Sequence, residues 1–279
     1  MTNQPPKLTD TEALAFHRAR IRGTDALFLQ QEAADEIEER LNEVNRTFTN
    51  PAIVTAFPQI WEKILPNAKI VPDQELLSLE VDSHDLVIHA MGLHWANDLV
   101  GQLVQCRRAL RADGLFIGAM FGGQTLSELR TVWAEVETKL TGGLSPRVAP
   151  MAEIRELGAL LQRAGFALPV ADSVTKKVTY RDAQHLMRDL REMGETNALA
   201  QRLKRPVSRT VLAAVNDTYA QHFTAESGRI RATFELVFLT GWAPDESQQK
   251  PLRPGSAQAR LADALNTTEL KLPEKTPKS

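Results

Sequence analysis

A strand, a helix and a second strand follow one another over residues 84–123, HDLVIHAMGLHW, ANDLVGQLVQCRRALRADG and LFIGAMFGG. Leu86, Val87 and Ile88 form an unbroken apolar run, the pattern of a strand covered on both faces. Leu99, Leu103, Cys106 and Leu110 recur at helical spacing, which predicts one packed stripe and turns Gln102, Arg107 and Arg108 to water. Asp113-Gly114 is expected to end that helix and release a strand over 115–121. Such a unit closes as a right-handed parallel crossover. In open sheets of these units, ligands bind beyond the carboxyl ends of the strands. Those ends are here Ala90-Met91-Gly92-Leu93-His94-Trp95 and Phe121-Gly122-Gly123. They make Trp95, Asn97, Gly122 and Gly123 candidate substrate-side residues, and Met91, Gly92 and Leu93 candidates for a cofactor.

The rest of the chain extends this pattern. A helix is expected over 11–22, with His17, Arg18, Arg20 and Arg22 as a solvated basic end or a docking arm. Residues 1–9 read as loose. A second helix runs from Thr24 to about Val44 with an acidic, solvated face. The segment 52–83 predicts a strand at 52–57, a helix at 58–65, a strand at 69–71 and a short piece at 76–81. Thr125-x-x-Glu128 reads as a capping box, followed by helices at 151–164, 182–193 and 207–223 and strands near 167–170 and 174–180. Ile230, Ala232, Phe234, Leu236, Phe238, Thr240 and Trp242 alternate strictly, as in a strand.

Composition narrows the function classes. A net charge of −2 gives no general electrostatic case for nucleic acid. No apolar run approaches the roughly 20 residues of a membrane span. The single Cys106 rules out an internal disulfide. No histidine pair has a metal-ligand spacing with a carboxylate nearby, so no metal is expected. The reading is of a bacterial cytoplasmic protein.

Several runs carry a resemblance: DLVIHAMGLHWANDL, RALRADGLFIGAMFGGQTLSELR, GGLSPRVAPMAEIRELGALLQRAGF, MRDLREMGETNAL and ATFELVFLTGWAPDESQQKPLRPGSA. They resemble class I S-adenosylmethionine (SAM) methyltransferases. More narrowly, they are similar to the alphaproteobacterial and mitochondrial complex I assembly factors with that fold, and more distantly to the malonyl-carrier-protein methyltransferase of biotin synthesis. The resemblance implies a Rossmann-like α/β sheet, shortened in its first half. It also implies an N-terminal helical extension (1–48), a methyltransferase-like domain (49–257) with a helical cap (182–225), and a largely disordered tail (258–279).

It also frames the functional question. The family opens its sheet with a glycine-rich turn against SAM, and no glycine stands here between Gly23 and Gly92. Phe57-Pro58 and Trp61 occupy that place. Only 32 residues, 52–83, fill an interval where the family fits two strand–helix–strand units, so at least one strand or helix should be missing. Asp73 or Glu75 could stand in for the ribose-binding acid. The resemblance thus implies a degenerate site with no resident cofactor, or SAM if the site is rebuilt. The implied partner is a protein, a respiratory-complex subunit; the relatives' activity is described as hydroxylation of an arginine on such a subunit. His94 and Glu195 are the catalytic candidates, with His94 a base beside Asp98, or Asp98 simply a helix cap. Asn197, Arg147 and the run Met193–Asn197 complete the substrate side, while His89 reads as a core histidine.

Overall fold

In the computed structural model the described residues are 7–225, 227–248 and 267. Contacts divide the chain into Met1–Asp245 and a unit from Glu246 to Ser279; the expected tail 258–279 lies, Thr267 apart, outside the described residues. In the first unit two helices, α1 (Thr11–Arg18) and α2 (Phe28–Val44), precede β1 (Pro51–Thr55), the short α3 (Pro58–Trp61) and β2 (Lys69–Val71). Then come β3 (His84–Ala90), a 3-10 turn at Leu93–Trp95, α4 (Leu99–Ala109) and β4 (Leu110–Phe121). The remainder is α5 (Ser127–Thr141), α6 (Ile154–Arg163), β5 (Ala167–Tyr180), α7 (Ala183–Glu192), α8 (Arg209–His222) and β6 (Ile230–Trp242).

The six strands form one sheet in the order β2-β1-β3-β4-β6-β5. The first four are parallel, and β6 lies antiparallel between β4 and β5. From β1 the chain steps outward to β2, then returns to place β3 on the other side. That reversal creates a crevice at the carboxyl ends of β1 and β3, where open α/β sheets bind ligands. This is a Rossmann-like sheet short of a strand in its first half, as the length of 52–83 requires.

Helices cover both faces. On one side Ile53, Leu86, Ile88, Ile117, Phe234 and Phe238 pack with Ala33 and Ile37 of α2 and Val132 and Val136 of α5. On the other, Val54, Val87, Phe116 and Leu239 meet Leu103 and Cys106 of α4 and Leu157 and Leu161 of α6. Strands buried on both faces read as continuous apolar runs for this reason. Among the described residues no helix is long and apolar enough to cross a membrane.

Several local expectations are corrected. α4 stops at Ala109, not at Asp113-Gly114, because Leu110 already pairs with His84 of β3 and starts β4. Gln102 is buried, not solvated: its amide nitrogen donates to the carbonyls of Gln74 and Glu75 and its oxygen faces His89. The capping box does not form. α5 begins after Leu126, a left-handed residue, while Thr125 bonds the backbone of Glu235 and Glu128 bonds Thr233, so both side chains clamp the helix to β6. The two strands at 167–170 and 174–180 are one, β5. Residues 8–10 are not loose, since Leu8 and Asp10 hydrogen-bond the backbone at 198–200 and Thr9 bridges Leu199.

Candidate functional site

Two cavities open at the carboxyl edge of the sheet, and Trp95 lines both. The 3-10 turn that follows β3 places His94 and Trp95 there side by side. It starts after Met91, whose left-handed backbone (φ 51°) bends the chain off the strand. Met91 and Leu93 point into the two halves of the core, whereas Gly92 borders the larger cavity.

The smaller cavity, of about 210 Å³, is walled by Trp95, Phe121, Trp133 and Phe234, with Met151 and Met187. Its polar centre is Glu195, which α7 delivers through a sharp stop. Gly194 takes φ +79°, and the Glu195 amide closes the turn on the carbonyl of Leu190. Glu195 Oε2 accepts the indole N–H of Trp95 at 2.8 Å and lies 3.2 Å from His94 Nε2. His94 Nδ1 receives a long contact, 3.5 Å, from the Phe121 amide. That leaves Nε2 to carry the proton, so the imidazole donates to Glu195. The partner of His94 is therefore Glu195 and not Asp98, which caps α4 by accepting from the Gly101 amide at 2.7 Å.

Glu195 is only 7% exposed at its side chain. Burial works to raise its pKa, but His94, Arg18 and the Trp95 hydrogen bond outweigh that and hold the carboxyl below its ordinary value. The result is a buried carboxylate at neutral pH. Its second oxygen, Oε1, has no hydrogen-bond partner, nor has the Thr196 hydroxyl beside it. Buried polar atoms are almost always paired, so the unpaired Oε1 and Thr196 hydroxyl mark this turn as unusual.

The remaining substrate-side candidates divide. Arg147 lines this cavity, stacked over Trp133 at 4.6 Å and paired through Nε and Nη2 with the buried Glu137. Asn197 also lines it, but its amide is spent on the Pro146 carbonyl and the Leu199 amide, pinning the loop 195–199. Asn97 borders the other cavity and clasps Thr9 through both its amide groups. Gly122 and Gly123 line neither cavity; a Cβ on each would come within 2.5 Å of Glu235 Oε2 and 2.6 Å of Glu153 Oε1. Their smallness lets those carboxylates approach the turn.

The larger cavity, a cleft of about 1,080 Å³, sits at the crevice beyond β1, β2 and β3. Asp73 and Glu75, the two residues named as a possible ribose acid, both line it just after β2. Asp73 is already engaged, because Arg18 of α1 donates to Asp73 Oδ2 at 2.8 Å with both side chains nearly buried. Arg18 also lies over the Phe57 ring, 5.6 Å from its centroid. His89 faces the same cleft. Its Nε2–H donates to Gln102 Oε1, which leaves Nδ1 bare and unpartnered, and burial pulls its pKa down to about 4. His89 is thus a core histidine on one nitrogen only.

Arg18 is the residue the sequence reading missed. It stands among four basic residues, and nothing local separates it from its solvated neighbours; only the docking of α1 buries it. Among the described residues no group of three His, Cys, Asp or Glu side chains could hold a metal ion.

The geometry can be set against known proteins. No family model matches the chain. Arginine-hydroxylase NDUFAF5 of rat mitochondria is 36% identical over 236 residues, covering 83% of this chain and 68% of that protein. The malonyl-[acyl-carrier protein] O-methyltransferase of Halorhodospira halophila is 33% identical over 181 residues, 65% of this chain and 59% of that one. A Bacillus halodurans crystal structure of a candidate methyltransferase covers 75% of the chain and 99% of its own at 12% identity, with a TM-score of 0.48. The matches to NDUFAF5 proteins span 62% of the zebrafish and 68% of the rat relative's own length. On that identity and coverage, the chain belongs to the NDUFAF5 family.

Proposed function

We propose that this chain is an assembly factor that grips an arginine side chain of a protein partner, and that it is not a working methyltransferase. The observation that carries the reading is Glu195, an ionised, buried carboxylate whose Oε1 has no hydrogen-bond partner and whose side chain lines an aromatic cavity sized for one side chain. A guanidinium is the donor best suited to it: planar, always charged, weakly hydrated, and able to pair with a carboxylate while stacking on aromatic faces. The rat relative's name, arginine-hydroxylase, concerns the same kind of side chain. The side chains of this pocket supply recognition and orientation. The partner we infer is a respiratory-complex subunit, met in a bacterial cytoplasm.

SAM fits the cleft poorly. The acid that would hold its ribose is occupied by Arg18, and Phe57-Pro58 stands where a glycine turn would let the methionine part approach. Phe57 is itself buried beneath the Arg18 guanidinium. We therefore read no resident cofactor. The alternative, a methyltransferase or arginine-modifying enzyme with a rebuilt cofactor loop, draws support from the open cleft and from Asp73 at the end of β2.

Calorimetric titration separates the two. N-acetyl-L-arginine methylamide should bind the protein, and binding should be lost in Glu195→Gln, while the lysine analogue binds more weakly than the arginine one. Equal binding of the arginine probe to both proteins would sink the arginine reading. Saturable binding of SAM would establish the alternative.

A further inference from the structure

Arg18, which lines the cleft, also packs against the turn that carries Glu195 of the smaller cavity. α1 lies against the turn that launches Glu195: a Cβ on Gly194 would sit 2.7 Å from Ile21 Cδ1 and 3.1 Å from Arg18 Cγ. From that contact the Arg18 side chain runs to the cleft, where Nη1 donates to Asp73 Oδ2. Its Nε and Nη2 are buried and without partners, and so is Glu195 Oε1. A guanidinium with spare donors and a carboxylate with a spare acceptor thus stand on touching segments without pairing.

We propose that Arg18 is a positioning residue of the Glu195 pocket, restrained by Asp73 so that its guanidinium does not take the unpaired Glu195 Oε1 from an incoming cation.

The inference rests on the arginine-gripping reading for its purpose, but its geometry stands apart from that reading. Unpaired buried donors and acceptors are costly, and opposite buried charges gain from contact when hydrogen bonds complete them. Left alone, Arg18 would swing to Glu195 and satisfy both. It does not, because Asp73 is the nearer acceptor, 11% and 14% exposed side chains forming a closed pair. The field of Arg18 still reaches Glu195, where it is among the influences that keep the carboxyl ionised. Around Arg18, Phe57 gives a ring face, Ile21 a methyl group and Leu14 an apolar wall; of the other carboxylates in the cleft, Asp98 is spent on capping α4 and Glu75 on Lys7 and Asn97. The arrangement has two states. With Arg18 on Asp73, the Glu195 pocket accepts a cation. With Asp73 removed or claimed by a ligand in the cleft, Arg18 itself becomes the occupant of Glu195 and shuts the pocket. Occupancy of the cleft and capture of a guanidinium should therefore oppose one another.

The test is a pair of double-mutant cycles read by thermal unfolding. Arg18→Gln, Glu195→Gln and their combination are made in the wild-type protein and again in Asp73→Ala. The coupling between Arg18 and Glu195, read as the departure of the melting-temperature shifts from additivity, should be small in the first set and several degrees larger in the second. Equal coupling in the two sets overturns the proposal. If Asp73→Ala gives no cooperative transition, Asp73→Asn serves in the same cycle. A binding arm adds a readout that a merely structural role would not move. Asp73→Ala should weaken N-acetyl-L-arginine methylamide by about tenfold or more, and adding Arg18→Gln should restore it. Weakening without restoration counts against the proposal. Wild-type protein that ignores the probe while the coupling changes would instead sink the arginine reading and leave the positioning role standing.

Discussion

The indole of Trp95 donates to Glu195 Oε2 at 2.8 Å across one hundred residues of chain. The bond ties the turn after β3 to the turn after α7, so the sheet edge and the end of α7 share one carboxylate. Replacing Trp95 by Phe keeps the wall of the cavity and removes this donor. A hydrogen bond to a charged group is worth about 1.5–3 kcal/mol, and a urea midpoint measured at constant m-value should fall accordingly. No change would mean that the Glu195 carboxylate finds another donor.

Glu195 should leave a signature in the pH dependence of stability. Its folded pKa lies below the ordinary value of 4.5. A carboxyl depressed in this way contributes stability that is fully present above the unfolded value and is lost as pH falls through the folded one. The wild-type protein should therefore lose stability below about pH 4.5 more steeply than Glu195→Gln. Urea unfolding at a series of pH values from neutral downward would show this. Parallel curves would contradict it.

Asp189 behaves in the opposite sense. Burial raises its pKa despite the Tyr180 hydroxyl that donates to Oδ2 at 2.9 Å. Stability from such a group is present at low pH and lost as pH rises through the folded value. Asp189→Asn keeps an acceptor for Tyr180 and drops the buried charge. The melting temperature at neutral pH should rise, and the gain should shrink in acid; a fall at neutral pH would refute this account.

Gly194→Ala should be expensive. The left-handed backbone costs an L-residue roughly 1–2 kcal/mol, and the new Cβ would meet Ile21 Cδ1 at 2.7 Å. Loss of stability should exceed that of Gly158→Ala, where a Cβ meets only Ala171 at 3.9 Å and the helix gains propensity. Comparing the two denaturation midpoints tests the claim. Because Gly194 precedes Glu195, the variant should also bind the arginine probe more weakly.

Phe116→Ala probes the sheet itself. Phe116 is fully buried in β4 and stacks on Phe166 at a ring separation of 4.8 Å. Truncation of a buried Phe costs about 3–5 kcal/mol, and the loss should appear as a lower melting temperature. A shift within error would mean that α6 and the Phe166 turn collapse into the space.

Most of the sheet was legible in the sequence because burial pattern is a local property. Leu86–Ile88 is apolar on both faces and becomes a central strand; Ile230–Trp242 alternates and becomes β6. The shortness of 52–83 pointed to at least one missing strand or helix, since chain length bounds how many crossovers fit. Helix ends were less legible. Ala109 ends α4 because β4 pairs early with β3, and Thr125 and Glu128 turn to β6 instead of capping α5. In both places a long-range hydrogen bond outcompetes the local one.

His94, Trp95 and Glu195 were marked by position at a strand end and after a helix stop, and tertiary folding brought them to one oxygen. Arg18 and Asp73 could not have been joined from sequence. Each belongs to a polar stretch whose ordinary fate is solvent, and their pairing follows only from where α1 docks. Sequence by itself determined most of the strands and helices and the strand ends at which the candidate site was sought, because periodicity and length act within each segment. Only the tertiary structure decided which charges are buried, which are paired and which carboxylate oxygen stays free, because those depend on segments far apart meeting across a cleft.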